Sequence, residues 1–86
     1  MLEYHAAYYH GQDSWIVAEV LDFPGALSQG KTLKSARKMI RDALRVMAET
    51  LIQNGKGLPR PNPRAKDKKA VFFERIPLVI TPPSER

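Results

Sequence analysis

The chain of 86 residues contains no cysteine, which excludes disulfides, thiolate metal sites and a cysteine nucleophile. Histidine is scarce: only His5 and His10 occur, both in one extended stretch. Side chains alternate along a strand, so positions five apart face opposite ways and make a poor metal pair. No apolar run approaches the roughly 20 residues of a membrane span. Met1-Leu2-Glu3-Tyr4 lacks the basic and apolar regions of a signal peptide, so an intracellular, cytoplasmic protein is expected. Phosphate-cradling glycine loops are absent, and nothing in the sequence asks for a cofactor. Most unevenly distributed is positive charge. Residues 1–30 hold no Lys or Arg but four acids, Glu3, Asp13, Glu19 and Asp22.

The missing cations are all further on. Residues 31–69 carry twelve basic residues against Asp42, Glu49 and Asp67, and the whole chain has a net charge of +5. Such a split suits an anionic partner, or two complementary surfaces on one protein, or a basic face that keeps the protein in solution.

Leu2 to Tyr9 reads as a strand with Leu2, Tyr4, Ala6 and Tyr8 on one face and Glu3, His5, Ala7 and Tyr9 on the other. Gly11-Gln12-Asp13 supplies a turn, and Trp15 to Leu21 reads as a second, antiparallel strand with Ile16, Ala18 and Val20 on an apolar face. Asp22-Phe23-Pro24-Gly25 ends it. Pro24 presets φ for the first central position of a β-turn, Gly25 can take the positive φ of the second, and the Asp22 carboxylate can fold onto nearby backbone N–H groups. Phe23 is read as a core anchor. Ala26 to Gln29 is a short third strand closed by Gly30.

Thr32 is a good helix N-cap. From Leu33 to Gln53 the apolar residues Leu33, Ala36, Ile40, Ala43, Leu44, Met47 and Leu51 share one helical face, and Asn54-Gly55 is a stop signal. The prolines at 59, 61 and 63 make Gly57 to Lys69 a long extended connection, neither helix nor central strand. Ala70 to Glu74 reads as a strand, with Leu78-Val79-Ile80 extending it past Pro77 at a sheet edge. The expected fold is therefore α+β: a mostly antiparallel sheet of three to four strands, in the order β-β-β-α-β, with one long helix on one face. Residues 1–81 are expected to form a single domain and 82–86 a polar tail. The sheet face away from the helix, with several aromatics, is expected to stay open and to drive self-association into a dimer or higher oligomer.

The ordered run Asp22-Phe23-Pro24-Gly25-Ala26-Leu27-Ser28-Gln29-Gly30, Thr32-Leu33-Lys34-Ser35-Ala36 and Asn54-Gly55-Lys56-Gly57-Leu58-Pro59-Arg60-Pro61 resembles the N-terminal domain of HicB antitoxins and the short HicB-like proteins. It covers roughly residues 4–63. The resemblance implies a partial, degenerate ribonuclease H-like sheet with one helix, oligomers, and binding to HicA, a small basic RNA-cleaving toxin whose active surface the antitoxin covers. Asp22, Phe23, Pro24, Gly25 and Gly30 are the family's turn motif. Longer members add a C-terminal DNA-binding domain; with six residues after Ile80, none is expected here. Ser35 stands where the family has an acid, so the reciprocal capping box is lost.

Lys34, Arg37, Lys38, Arg41 and Arg45 fall within about 100° of one another on a helical wheel, opposite the apolar face. This stripe fits a phosphate backbone or an acidic surface, and equally an exposed, solubilising helix face. Lys56, Arg60, Arg64, Lys66, Lys68 and Lys69 can continue it. No aromatic is interleaved with these cations, and no nucleic-acid reader motif occurs. Tyr4, Tyr8, Tyr9 and Trp15, in the acidic segment, read as packing residues ahead of a base-stacking platform. A metal-dependent nuclease would need clustered carboxylates, and only Glu3, Glu19 and Asp22 could be gathered by strand geometry. The functional expectation is a binding protein, not an enzyme: a HicB-like antitoxin or regulatory binding protein that occludes a HicA-like toxin. A nucleic-acid-binding module built on the basic helix face is the second reading, and a residual nuclease a distant third.

Overall fold

The computed structural model of the chain describes residues 2–80. Its strands are β1 (Glu3–His10), β2 (Ile16–Val20), β3 (Leu27–Gly30) and β4 (Phe72–Pro77), with one helix, α1 (Leu33–Gln53), between β3 and β4. All pairings are antiparallel and the sheet order is β3-β2-β1-β4. The expected α+β sheet with one long helix is what forms; the polar tail at 82–86 lies outside the described residues.

Register sorts the side chains. Tyr4, Ala6 and Tyr8 stand opposite Ile76, Glu74 and Phe72 of β4, and Ala6 and Tyr8 opposite Val20 and Ala18 of β2. This face packs on α1 through Ala36, Ile40, Leu44 and Ala48, all fully buried. Leu33, expected on that stripe, is 37% exposed. The helix begins over β3, an edge strand with no neighbour on its far side, so its first residue has nothing beyond to pack on.

The helix ends are built as the sequence suggests. The Thr32 hydroxyl accepts a hydrogen bond from the Ser35 N–H at 3.0 Å. At the other end the Lys56 N–H donates to Leu51 O at 2.8 Å and the Gly55 N–H to Ile52 O at 3.0 Å. These are the 6→1 and 5→2 bonds of a Schellman motif.

The expected turn between β1 and β2 forms as a short 3-10 stretch at Gln12–Ser14, its left-handed backbone supplied by Asp13 (φ 56°) and Ser14 (φ 67°), with Gly11 extended at φ −103°. Two expectations need correction. β4 spans 72–77 and not 70–74, with Pro77 as its last residue paired to Glu3. Because the Leu78 N–H donates to Leu2 O, the ladder alternation turns position 77 outward, where an edge proline forfeits no bond. Residues 78–80 do not extend the strand.

The second correction concerns the open face. Tyr4 and Tyr8 lie under the helix, and of the opposite face His5 is 7% exposed and Ala7 fully buried. The connection after α1 returns across that face: the Asn62 N–H reaches Asp22, and Asp67 accepts from the Tyr9 hydroxyl at 2.9 Å. The aromatic face expected to be uncovered is thus partly closed by the chain itself.

Candidate functional site

Around the family-like turn, the chain leaves β2 at Val20 and must reverse. The Leu21 N–H donates to His5 O at 2.8 Å, the last ladder bond between the strands. At the next position the Asp22 side chain replaces the ladder: Oδ1 accepts the His5 backbone N–H at 2.8 Å, and Oδ2 lies 2.7 Å from His5 Nδ1. Oδ2 also accepts the Asn62 N–H at 2.9 Å. Asp22 was expected to serve its own turn. Its principal partners are instead 17 and 40 residues away, so it ties β1, the turn and the long connection together. Burial pushes the Asp22 carboxyl up, but the donors from His5 and Asn62 outweigh it and hold the group below its usual range. An ionised carboxylate only accepts, so His5 Nδ1 carries the proton.

Phe23, 1% exposed, meets the Tyr4 ring edge-on at 5.2 Å. The Ala26 N–H closes onto Phe23 O at 3.1 Å with Gly25 at φ 92°, as a type II turn requires at its second central position. A Cβ on Gly25 would also lie 2.9 Å from Met47 Cε. Beside the turn, Phe23, Pro24, Met47, Thr50, Leu51 and Pro59 line an apolar concavity of about 280 Å³. No local pattern announces it, because its walls come from three separate segments. Gly30 closes the motif for a different reason: a Cβ there would stand 2.5 Å from Ala36 N and 2.8 Å from Ser35 C. The first turn of α1 rests on its bare backbone.

The basic stripe lies on the outer side of α1, where Lys34, Arg37, Lys38, Arg41 and Asp42 border a shallow concavity of about 340 Å³. Its members are not equivalent. Arg37 makes a two-pronged pair with Glu74 of β4, Nε to Oε2 and Nη2 to Oε1, both at 3.0 Å. The Tyr8 hydroxyl donates to the same Oε2 at 2.6 Å. Burial raises the Glu74 carboxyl, and the Tyr8 and Arg37 donors pull it below its usual range. Lys38 pairs with Asp42 at 3.6 Å and Arg45 with Glu49 at 3.3 Å, each one helical turn on. Lys34 and Arg41 have no ion pair with a described residue.

The tyrosines pack, as their acidic segment suggested. Tyr4 and Tyr8 are fully buried, and the Tyr4 hydroxyl donates to Pro59 O at 2.7 Å. Trp15 instead lies half-buried beneath Lys31, whose Nζ is 5.7 Å from the ring centre. Among the described residues no three His, Cys, Asp or Glu side chains come together as a metal site, and no helix is long and apolar enough to cross a membrane.

A family model described as the HicB_like antitoxin of bacterial toxin-antitoxin systems matches residues 4–81. The UPF0150 protein Ta0767 of Thermoplasma acidophilum is 37% identical over 51 residues, covering 59% of this chain and 74% of its own. The crystal structure of the N-terminal domain of the Burkholderia pseudomallei antitoxin HicB superposes with a TM-score of 0.74 at 25% identity, over 88% of this chain and 96% of that one. The HicA3 and HicB3 toxin-antitoxin complex contains a chain of the same fold, with a TM-score of 0.68 at 21% identity over 94% of this chain and 100% of that one.

Proposed function

Since the chain belongs to the HicB-like antitoxin family, we propose that it is the antitoxin of a toxin–antitoxin pair and acts by covering the active surface of a small, basic, HicA-type RNA-cleaving toxin. The observation that carries this reading is the family match across residues 4–81, which takes in hairpin, turn, helix and last strand together. The acting unit is then residues 1–81, working in the cytoplasm as a binding protein without catalysis of its own.

The contact surface in this reading is the β1–β2 hairpin with the turn at 22–25. Glu3 and Asp13 are exposed there, in a segment with no cations, which complements a basic partner and speeds its approach. The apolar concavity beside Phe23 and Pro24 offers a place for one apolar side chain of that partner. Self-association into a dimer or higher oligomer goes with the reading; Leu27 on edge strand β3, 59% exposed, is the kind of side chain such an interface would cover.

The test is co-expression with the product of a small basic reading frame beside the gene. The expected result is a complex that co-elutes and suppresses RNA cleavage, formed more slowly by Glu3→Lys/Asp13→Lys. Light scattering on the free protein reads its oligomeric state. A toxin that cleaves RNA unhindered in the presence of excess protein would overturn the proposal.

A further inference from the structure

Phe72 stands next to the basic helix face. Its ring centre is 6.0 Å from Arg37 Cζ on one side and 5.4 Å from the Tyr8 ring on another, and the residue remains 37% exposed. In sequence no aromatic is interleaved with the cations of α1. The sheet supplies one, because β4 pairs with β1 and brings position 72 under Arg37.

The cations around the ring divide into two kinds. Arg37 is held by Glu74 and keeps a fixed place beside the ring. Lys34 and Arg41, one turn before and one turn after it, are exposed and make no ion pair with a described residue; they are about 10 Å apart along the helix. A further set, Lys66, Lys68 and Lys69, is exposed on a segment anchored at the same end of the sheet by Asp67, which accepts from the Tyr9 hydroxyl and the Lys69 N–H.

We propose that the outer face of α1 and the Phe72 ring together bind single-stranded nucleic acid, phosphates following Lys34 and Arg41 and a base stacking on the exposed part of the ring. Cations alone would serve any polyanion. A ring set among them favours a strand with bases over an acidic polypeptide, and an unpaired base over a duplex, whose base faces are already stacked. The surface is separate from the hairpin assigned to the toxin and does not depend on that assignment.

Fluorescence anisotropy with end-labelled oligouridylate and oligothymidylate, in a salt series starting at about 50 mM, tests the proposal on the full chain. Binding should weaken with salt. Lys34→Glu/Arg41→Glu should flatten the log–log salt slope by about 1.4, at about 0.7 per lost phosphate contact on a single strand. Phe72→Leu keeps the apolar packing on Tyr8 but removes the stacking face; it should weaken binding about 5- to 150-fold without changing the slope, and Phe72→Trp should restore it. The charge-matched Lys56→Glu/Arg60→Glu, beyond the helix C-terminus, should weaken binding less than the helix pair. Four results would each overturn the proposal. One is no binding of either oligonucleotide at the lowest salt. Another is equal loss in both charge-reversed doubles, which leaves net charge alone as the cause. Polyglutamate bound as tightly as the oligonucleotides and unaffected by Phe72→Leu would assign the face to an acidic protein. A fall in solution mass caused by Phe72→Leu would assign the ring to a second copy of the chain.

Discussion

Asp22 grips His5 twice, by backbone and by ring: Oδ1 takes the His5 N–H at 2.8 Å and Oδ2 faces Nδ1 at 2.7 Å. The pair sits where the β1–β2 ladder gives way to the turn, with the Asp22 side chain 2% exposed. The Asn62 N–H on the same carboxylate fastens the long connection to that point.

Asp22→Ala leaves three buried or half-buried donors without an acceptor and should cost about 3 kcal/mol of stability, with charged hydrogen bonds at about 1.5–3 kcal/mol each and incomplete additivity. The Asp22 carboxyl is held below its ordinary range in the folded chain. Its contribution is therefore complete above the unfolded carboxylate pKa of about 4 and is lost as pH falls through the folded value. Urea melts of wild type and variant at neutral pH and at about pH 2–3 should show the gap closing in acid. A gap that stays constant would mean that Asp22 acts by shape and not by charge.

Gly30→Ala places a methyl 2.5 Å from the Ala36 nitrogen. Backbone cannot swing aside as a side chain can, so the first turn of α1 must lift from β3, at a cost of about 2–3 kcal/mol or more. Gly57 has open space around its Cβ position, and Gly57→Ala should be neutral or stabilise by up to about 1 kcal/mol through the unfolded chain. Paired denaturation midpoints distinguish the two positions.

The Arg37–Glu74 pair crosses from helix to edge strand with a planar, two-bond geometry. Arg37 is 41% exposed and Glu74 15% at the side chain, so solvent weakens the pair, and a double-mutant cycle with Arg37→Ala and Glu74→Gln should give a small favourable coupling that shrinks as salt is added. Tyr8→Phe should add to the loss, because the same Oε2 accepts its hydroxyl. A zero coupling at low salt would show the two residues to be merely adjacent.

All three tyrosines titrate high. Burial is the first cause for each. Asp22 adds to it at Tyr4, the hydrogen bond to Glu74 at Tyr8, and the bond to Asp67 at Tyr9, which is pushed up to about 12. The folded chain should show less phenolate absorbance at pH 10–11 than the chain in denaturant, which titrates near 10. Raised values mean that stability is present below about pH 10 and drains away as pH rises through the folded values. A normal phenolate signal from the folded protein would contradict the buried placement of Tyr4 and Tyr8.

Much of the architecture was legible one segment at a time. Thr32, the apolar spacing from Ala36 to Leu51 and Asn54-Gly55 mark α1 at both ends, since capping and amphipathicity involve residues three or four apart. Pro24-Gly25 marks the turn because φ at those two positions is set by their own rings and hydrogens. Errors came where an element's limits depend on a neighbour. β4 begins and ends where β1 offers partners, and Leu33 is exposed because no strand lies beyond β3.

The sequence by itself determined the α+β order, the helix limits, the turn type and the uneven charge, all of which follow from backbone conformations and spacings confined to a few residues. Only the tertiary structure decided that Asp22 serves His5 and Asn62, that Gly30 must stay bare for Ala36, that Arg37 belongs to Glu74, and that Phe72 stands beside the cations of α1. The physical reason lies in separation along the chain: these groups are 6 to 40 residues apart, and what meets across such distances is set by which strands pair and how the helix packs on them.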